Sequence, residues 1–189
     1  HLDFHGTMRA YRDAKARLFT DLLRDAGGPP RAVVCADDPA WTQLQTPSDR
    51  WTYGFEAGAD WCIERVGLSA SGMTMTLRTP LGPLELSSPM LGRHNAQNLA
   101  GAAAVLGTLG LAPADICGAL ASVQGVAGRL ERVVDPAGRL VVVDYAHSPD
   151  ALDHALRTVR ELTGGKLWVV FGCGGDRDAG KRPQMGAIA

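Results

Sequence analysis

A single lysine, Lys15, interrupts the apolar stripe of a predicted amphipathic helix. At helical spacing it falls among Tyr11, Leu18 and Leu22, which such a helix would bury. One interpretation is that its stem covers apolar surface while its ammonium reaches water. The other is a desolvated, uncharged amine that acts as a nucleophile or takes up CO2 as a carbamate. A carbamate would turn a cation into an anionic metal ligand.

Three potential metal ligands alternate directly before this helix. They are His1, Asp3 and His5, and imidazole and carboxylate groups are common metal ligands. The spacing therefore allows a metal site at the helix start. Solvated residues that bind no metal are the alternative interpretation.

Polar residues also follow a predicted buried strand, at Asp144, Tyr145 and His147. A helix is predicted to begin just after them, because Ser148 can cap it and Pro149 suits its first turn. The junction of a strand with a helix N-terminus is suited to ribose hydroxyls or phosphate. A well-capped loop without a ligand is the alternative.

The segment from Gly172 to Arg182 combines four glycines with Arg177, Lys181 and Arg182. Backbone amides and cations together can receive an anionic ligand, although a solvated turn also explains the composition. The segment is not a Walker A loop, because Lys181 is followed by arginine and proline. It also lacks the glycine spacing of a dinucleotide fingerprint.

A third polar group opens a predicted helix at His94, Asn95 and Asn98. Amides at this place often serve only as caps. Their paired donors and acceptors can also recognise a nucleotide base. Both interpretations stay open on the residues alone.

The elements that must position these residues alternate between helices and strands, which predicts an α/β fold. The first part has a helix over 8–23 and a buried strand over 32–36. A small antiparallel sheet is predicted between Trp51 and Leu91, followed by helices over 95–109 and from Pro113. Residues 124–128 are the best linker candidate, and a βαβ crossover follows, with strands over 139–144 and 166–171 around a helix over 150–162.

Composition narrows the class of protein further. The chain has 189 residues, of which 46% are hydrophobic and 21% charged, and its net charge is −1. No overall basic field attracts nucleic acid, and no apolar run is long enough to cross a bilayer. Four well-separated cysteines fit a reducing cytoplasm better than a zinc site or a disulfide framework. The start, without Met or an apolar leader, suggests a fragment.

Six blocks, in order along nearly the whole chain, together resemble the Mur ligases, and most closely the MurE type. The blocks are His1 to Gly6, Ala14-Lys15 with Leu18-Phe19, Gly92 to Asn95 with Asn98, Gly128 to Glu131, Asp144 to Leu152, and Gly172 to Asp178. The resemblance implies part of a central ATPase domain, with a parallel sheet, helices and a small antiparallel sheet. The start of a Rossmann-like C-terminal domain would follow, with residues 1–127 in the first domain and 128–189 in the second.

The resemblance also implies an ATP-dependent amide-bond ligase of peptidoglycan synthesis. Such an enzyme phosphorylates UDP-MurNAc-L-Ala-D-Glu, and the amine of a diamino acid then displaces phosphate. The form of the Gly172 to Arg182 segment favours meso-diaminopimelate over L-lysine. Two Mg2+ ions are expected, and the protein would be monomeric, with no nucleic-acid partner and no membrane insertion.

Roles carry over to matching residues as implications of the resemblance. His1 matches a magnesium ligand, and Lys15 matches a lysine that is carbamylated to hold the second ion. Arg177 matches the contact to the carboxylate of the incoming diamino acid. The remaining matches concern the nucleotide: His94, Asn95 and Asn98 at the adenine, Arg129 from the linker, Asp144 at the ribose, and Tyr145 and His147 as weaker candidates.

Three features of the family are absent from this chain. They are a uridine-binding domain, a glycine-rich phosphate loop and a later Asp-Asn-Pro-Arg block. We therefore expect the chain alone to be inactive. The alternatives are a folylpolyglutamate synthase-like ligase, which shares the fold and the lysine chemistry, and a non-catalytic nucleotide-binding module.

Overall fold

A computed structural model describes residues 2–22, 31–42, 49–174 and 180–189. Its elements are α1 (Leu2–His5), α2 (Met8–Arg17), a π-helical turn (Leu18–Leu22), β1 (Arg31–Cys35), α3 (Pro39–Thr42), β2 (Asp49–Gly54), β3 (Trp61–Ser69), β4 (Gly72–Arg78), β5 (Leu84–Ser88), α4 (Arg93–Thr108), α5 (Pro113–Ala121), β6 (Glu131–Val133), β7 (Val141–Val143), α6 (Pro149–Leu162) and α7 (Lys181–Ile188). The predicted α/β class is confirmed. Among the helices of these ranges, none combines the length and apolar character needed to cross a bilayer.

The chain divides into two compact units. The first comprises His1–Arg65, Met75–Leu86 and Gln97–Leu120, and the second comprises Val66–Thr74, Ser87–Ala96 and Ala121–Ala189.

One five-stranded sheet has the order β1-β2-β3-β4-β5. Strand β2 pairs in parallel with β1, where Val33 lies opposite Trp51, and in parallel with β3. The Ala70-Ser71 turn between β3 and β4 is too short for a parallel connection, so these two strands run antiparallel. The strands predicted between Trp51 and Leu91 therefore form, but they continue a parallel sheet and do not make a separate one.

Helix α4 lies close to this sheet because two of its residues lack side chains. A Cβ on Gly101 would lie 2.9 Å from Cε2 of Tyr53, and one on Gly107 would lie 2.5 Å from Cζ2 of Trp61. Trp61 has no exposed surface, and Leu77 of β4 is equally buried. Small residues thus let the helix backbone approach the aromatic face of β2 and β3.

The N-terminal helices lie exposed. Thr7 caps α2, because its Oγ1 accepts a 3.1 Å hydrogen bond from the N–H of Ala10. No residue of α2 is buried, and Lys15 is exposed. The expected burial of the stripe around Lys15 was therefore wrong for the described residues. In the part of the chain that the structure shows, α2 packs chiefly on α1 and the following π-helical turn, which leaves its apolar face uncovered.

The second unit contains the hairpin of β6 and β7, which pair antiparallel with Arg132 opposite Val142. In their connection, the Arg139 guanidinium donates 2.8 and 2.9 Å hydrogen bonds to the Asp135 carboxylate. These bonds lower the pKa of Asp135 to about 2. The predicted helix start after the hairpin is confirmed, since Ser148 accepts from the N–H of Ala151 and begins α6. Helix α7 packs against α6.

The second strand of the predicted βαβ crossover does not form. Residues 166–171 have no strand assignment, and β7 pairs with β6. Val170 is fully exposed and Trp168 is 84% exposed. An apolar run makes a strand only where a neighbouring strand completes its hydrogen-bond ladder, and the described residues supply none here.

Candidate functional site

The carboxylate of Asp144 stands one residue beyond β7 and orders a turn that lies before the hairpin. Its Oδ2 accepts a 2.8 Å hydrogen bond from the N–H of Leu130. Leu130 is 5% exposed and has φ of 46°, a left-handed conformation that is unusual for a branched side chain. Burial of the leucine and the charge-assisted bond from its amide hold this conformation. The bond leaves the second carboxylate oxygen for other partners.

Backbone and side-chain contacts bring Tyr145 and Arg129 to the same place. The N–H of Tyr145 donates a 2.7 Å bond to the carbonyl of Gly128. The guanidinium carbon of Arg129 lies 5.8 Å from the centroid of the Tyr145 ring, within the range of a cation–π contact. Glu131 closes the turn, because its carboxylate accepts from the N–H of Gly128 at 2.8 Å. The turn therefore presents a cation beside an aromatic ring.

The ring of His147 adds a hydrogen-bond acceptor. Its Nδ1 lies 2.9 Å from the carbonyl oxygen of Tyr145. Because a carbonyl only accepts, Nδ1 carries the proton and Nε2 remains as an acceptor in the neutral ring. The two rings stand 5.2 Å apart between centroids. His147 can thus accept from a ligand hydroxyl or amine.

Leu130 lines two cavities. The larger, of about 460 Å³, is lined by Asp144, Tyr145 and His147 together with apolar residues of β7, α6 and the segment 167–172. The smaller, of about 340 Å³, is lined by Arg129, Asn95 and neighbouring residues. Both fall within the size range of small-molecule sites. Of the candidate nucleotide contacts, the structure gathers four around these cavities in addition to Asn95.

His94 lies half-buried at the start of α4. Burial is the main cause that lowers its pKa, and the nearby His154 lowers it further, while Asp144 opposes the shift. The rings of His94 and His154 are 5.4 Å apart. Nδ1 of His94 is buried, and the described residues give it no hydrogen-bond partner. A neutral imidazole is therefore the favoured form here.

The two asparagines differ in their surroundings. Asn95 is 5% exposed, and its Nδ2 donates a 2.8 Å bond to the carbonyl of Leu91 one turn earlier. Part of its hydrogen-bonding capacity thus holds the helix start. Asn98 is exposed and belongs to the first unit.

The candidate metal ligands are not assembled by the described residues. His1, Arg177 and the side chain of Asp3 lie outside the described part of the chain. His5 lies in α1 and packs its ring edge-on against Tyr11, whose ring centroid is 5.8 Å from Nζ of Lys15. Leu2–His5 is helical, and residues two apart in a helix do not face each other. The metal roles expected for His1 and Lys15 stay predictions. Within the described ranges, no three metal-binding side chains converge.

Sequence reasoning missed three residues that organise the structure. Leu130 and Glu131 were noted only as parts of a motif, and no local signal announces a left-handed leucine. Asp37 was not among the candidate residues, yet its carboxylate accepts three backbone hydrogen bonds and one from Gln97. Its position directly after a buried strand was the available signal, because strand ends gather functional groups in α/β sheets.

The fold and this site define an α/β protein in which a carboxylate, a guanidinium and two rings gather at the end of a strand, beside cavities of ligand size. A comparison with known protein families identifies the family to which this α/β protein belongs. The Mur ligase middle domain matches residues 1–106, and the Mur ligase glutamate ligase domain matches residues 128–189. The chain belongs to the Mur ligase family.

Individual relatives agree with this assignment. The chain is 46% identical, over its whole length, to the UDP-N-acetylmuramoyl-L-alanyl-D-glutamate--2,6-diaminopimelate ligase of Thermosynechococcus vestitus. It also resembles a solved structure of a ligase of that name, with a TM-score of 0.73 and 36% identity over 98% of this chain and 38% of that one. L. casei FPGS shares the fold alone, with a TM-score of 0.69 and 22% identity over 87% of this chain and 40% of its own. The chain spans 38% of the length of the Thermosynechococcus relative.

Proposed function

We propose that the full-length protein is an ATP-dependent ligase of the MurE type, which adds meso-diaminopimelate to UDP-MurNAc-L-Ala-D-Glu in peptidoglycan precursor synthesis. The observation that carries this proposal is the 46% identity, over the whole chain, to a relative named as the diaminopimelate ligase. The grouping of Asp144, Arg129 and Tyr145 supports a nucleotide site.

The proposed reaction has two steps. ATP transfers its γ-phosphoryl group to the D-glutamate carboxylate, which gives an acyl phosphate and ADP. The amine of the diamino acid then attacks the acyl carbon and loses a proton as the amide bond forms. Inorganic phosphate leaves with the electron pair of the broken C–O bond and can take up that proton. Positioning and charge stabilisation account for most catalysis of such steps.

In this proposal the described residues bind the nucleotide. The second oxygen of Asp144 accepts from a ribose hydroxyl, and Arg129 approaches the phosphates. The segment of His94, Asn95 and Asn98 contacts the adenine, with Tyr145 and His147 as additional wall residues. Arg177 pairs with the carboxylate of the diamino acid, because a guanidinium offers paired donors for it.

Magnesium is the expected partner of the phosphates in this reaction. The described residues do not form a site for it on their own. We propose that His1 and a carbamate on Lys15 would hold the ion.

Three further points belong to this proposal. The domain boundary lies near residue 127, between the two matched domains. The protein acts as a monomer. It is located in the cytoplasm, and the four free cysteines agree with that reducing compartment.

The test is a phosphate-release assay on the full-length protein with ATP and UDP-MurNAc-L-Ala-D-Glu. We expect release that depends on meso-diaminopimelate, with L-lysine a poor replacement. Release that depends instead on glutamate and a folate would support the folylpolyglutamate synthase alternative. Nucleotide binding without release under any of these conditions would support a binding module.

A further inference from the structure

The carboxylate of Asp37 joins the ends of two parallel strands. It lies beyond β1, and Oδ1 accepts 2.9 Å hydrogen bonds from the N–H groups of Phe55 and Glu56, which follow β2. Oδ2 accepts from Phe55 as well, at 3.0 Å. A Cβ on Gly54 would lie 2.5 Å from Oδ1, so the missing side chain lets the carboxylate approach this backbone. Asp37 is therefore held in place by the backbone.

The same carboxylate also binds helix α4. Nε2 of Gln97, in the first turns of the helix, donates to Oδ2 at 2.5 Å, across 60 residues of sequence. All of these residues belong to the first unit. Further along α4, Gly101 and Gly107 lie against Tyr53 and Trp61. These glycine contacts fix the distance of the helix from the sheet, whereas the bond from Gln97 fixes the rotation and height of its beginning.

Asn98 directly follows Gln97, so a shift of the helix backbone that separates Gln97 from Asp37 also moves Asn98. We propose that Asp37, acting through Gln97, is a positioning residue for the nucleotide contact of Asn98. The inference rests on the proposed function, in which Asn98 contacts the adenine. It assigns Asp37 no contact with ATP and no part in the chemistry.

Exchanging the carboxylate of Asp37 and the amide of Gln97 tests the role of their hydrogen bond in the full-length enzyme. Gln97→Glu places a second carboxylate against Asp37, and we expect the KM for ATP to rise roughly tenfold, with a parallel rise in the Kd of a non-hydrolysable ATP analogue. Asp37→Asn alone should stay near wild type, because the amide of Gln97 can turn over and accept. The double variant Asp37→Asn with Gln97→Glu restores a donor and an acceptor, and should regain the wild-type KM and Kd.

Asp60 supplies the matched control. Its carboxylate also bonds to the sheet, with bonds of 2.7 and 2.8 Å from the N–H and hydroxyl of Thr52. Asp60→Ala removes both bonds and should lower the thermal midpoint without changing the KM for ATP. If Gln97→Glu lowers only the thermal midpoint, or if the double variant fails to recover nucleotide affinity, the proposal is wrong. The Kd of the analogue is measured without turnover and therefore tests the role of Asp37 independently of ligase activity. If the wild-type protein shows no ligase activity, the proposed function is wrong, whatever the Kd values show.

Discussion

The N–H of Leu130 donates a 2.8 Å hydrogen bond to Oδ2 of Asp144. The bond joins the turn before β6 to the residue after β7, and thereby stabilises a leucine at φ of 46°. In the proposed function the same carboxylate also meets the ribose. One side chain thus has a structural task and a binding task, and substitutions can separate them.

Asp144→Asn should separate these tasks. The amide oxygen still accepts from Leu130, so the free energy of unfolding should change little, while the KM for ATP rises as the anionic acceptor is lost. Asp144→Ala removes both contacts and should also lower the free energy of unfolding by about 1 kcal/mol. Denaturant titration and steady-state kinetics of the full-length enzyme measure the two effects. Asp150→Ala, at a nearby exposed carboxylate, is the control and should leave the KM for ATP unchanged.

Lys15→Ala in the full-length enzyme should strongly reduce ligation, and added acetate should partly restore it. The reason is that a carboxylate from solution can replace the proposed carbamate. Arg9→Ala removes another exposed cation of the same helix and should have little effect. Undiminished turnover of the Lys15 variant would count against the carbamate.

The lowered pKa of His94 predicts a loss of stability in acid. Because the folded pKa lies below the ordinary value of 6.5, the unfolded chain binds the proton more tightly. The contribution is fully present above that value and is lost as the pH falls through the folded pKa. His94→Gln should therefore flatten the decline in unfolding free energy as the pH falls below 6.5.

The neighbouring histidine provides a direct check of this shift. His154→Gln should raise the pKa of His94, because it removes a like charge. The titration of the His94 ring by NMR measures this change. An unaltered midpoint would show that His154 does not contribute to the lowered pKa of His94.

Two helix glycines should respond oppositely to alanine. Gly107→Ala places a Cβ 2.5 Å from the ring of Trp61 and should destabilise the protein by about 1–3 kcal/mol. Gly118→Ala, where nothing lies within 4 Å, should stabilise α5 by up to about 1 kcal/mol. Thermal or denaturant unfolding of both variants provides the comparison. Equal effects at the two positions would contradict the close packing of α4.

Two arginines should affect different substrates. Arg177→Ala should raise the KM for the diamino acid more than that for ATP, since its guanidinium is proposed to pair with the amino-acid carboxylate. Arg129→Ala should do the reverse, because the structure places it beside Tyr145 at the proposed nucleotide cavities. An unchanged amino-acid KM in the Arg177 variant would refute its assignment.

Local signals predicted local structure well. Ser148 and Pro149 announce the start of α6 because a cap and a fixed φ act within one turn. Helix α4 and strands β1 to β5 follow from hydrophobic patterns of sufficient length. The family resemblance, carried by six separated motifs, is confirmed by the matched domains.

Pairing and burial were less predictable, because they depend on partners distant in sequence. The apolar run at 166–171 indicates a buried strand, yet no ladder forms in the described residues. The stripe around Lys15 indicates burial, but a pattern does not state what covers it. The bond between Asp37 and Gln97 spans 60 residues, and neither residue has a local signal for it. The roles of the site residues remain predictions.

The unequal burial of Trp61 and Trp168 should be visible in their fluorescence. Trp61 has no exposed surface, whereas Trp168 is 84% exposed. A dissolved quencher such as acrylamide should reach the indole of Trp168 and leave the emission of Trp61 unaffected. Because Trp168 belongs to the second unit and the other three tryptophans belong to the first, loss of Trp168 emission on quenching reports the second unit.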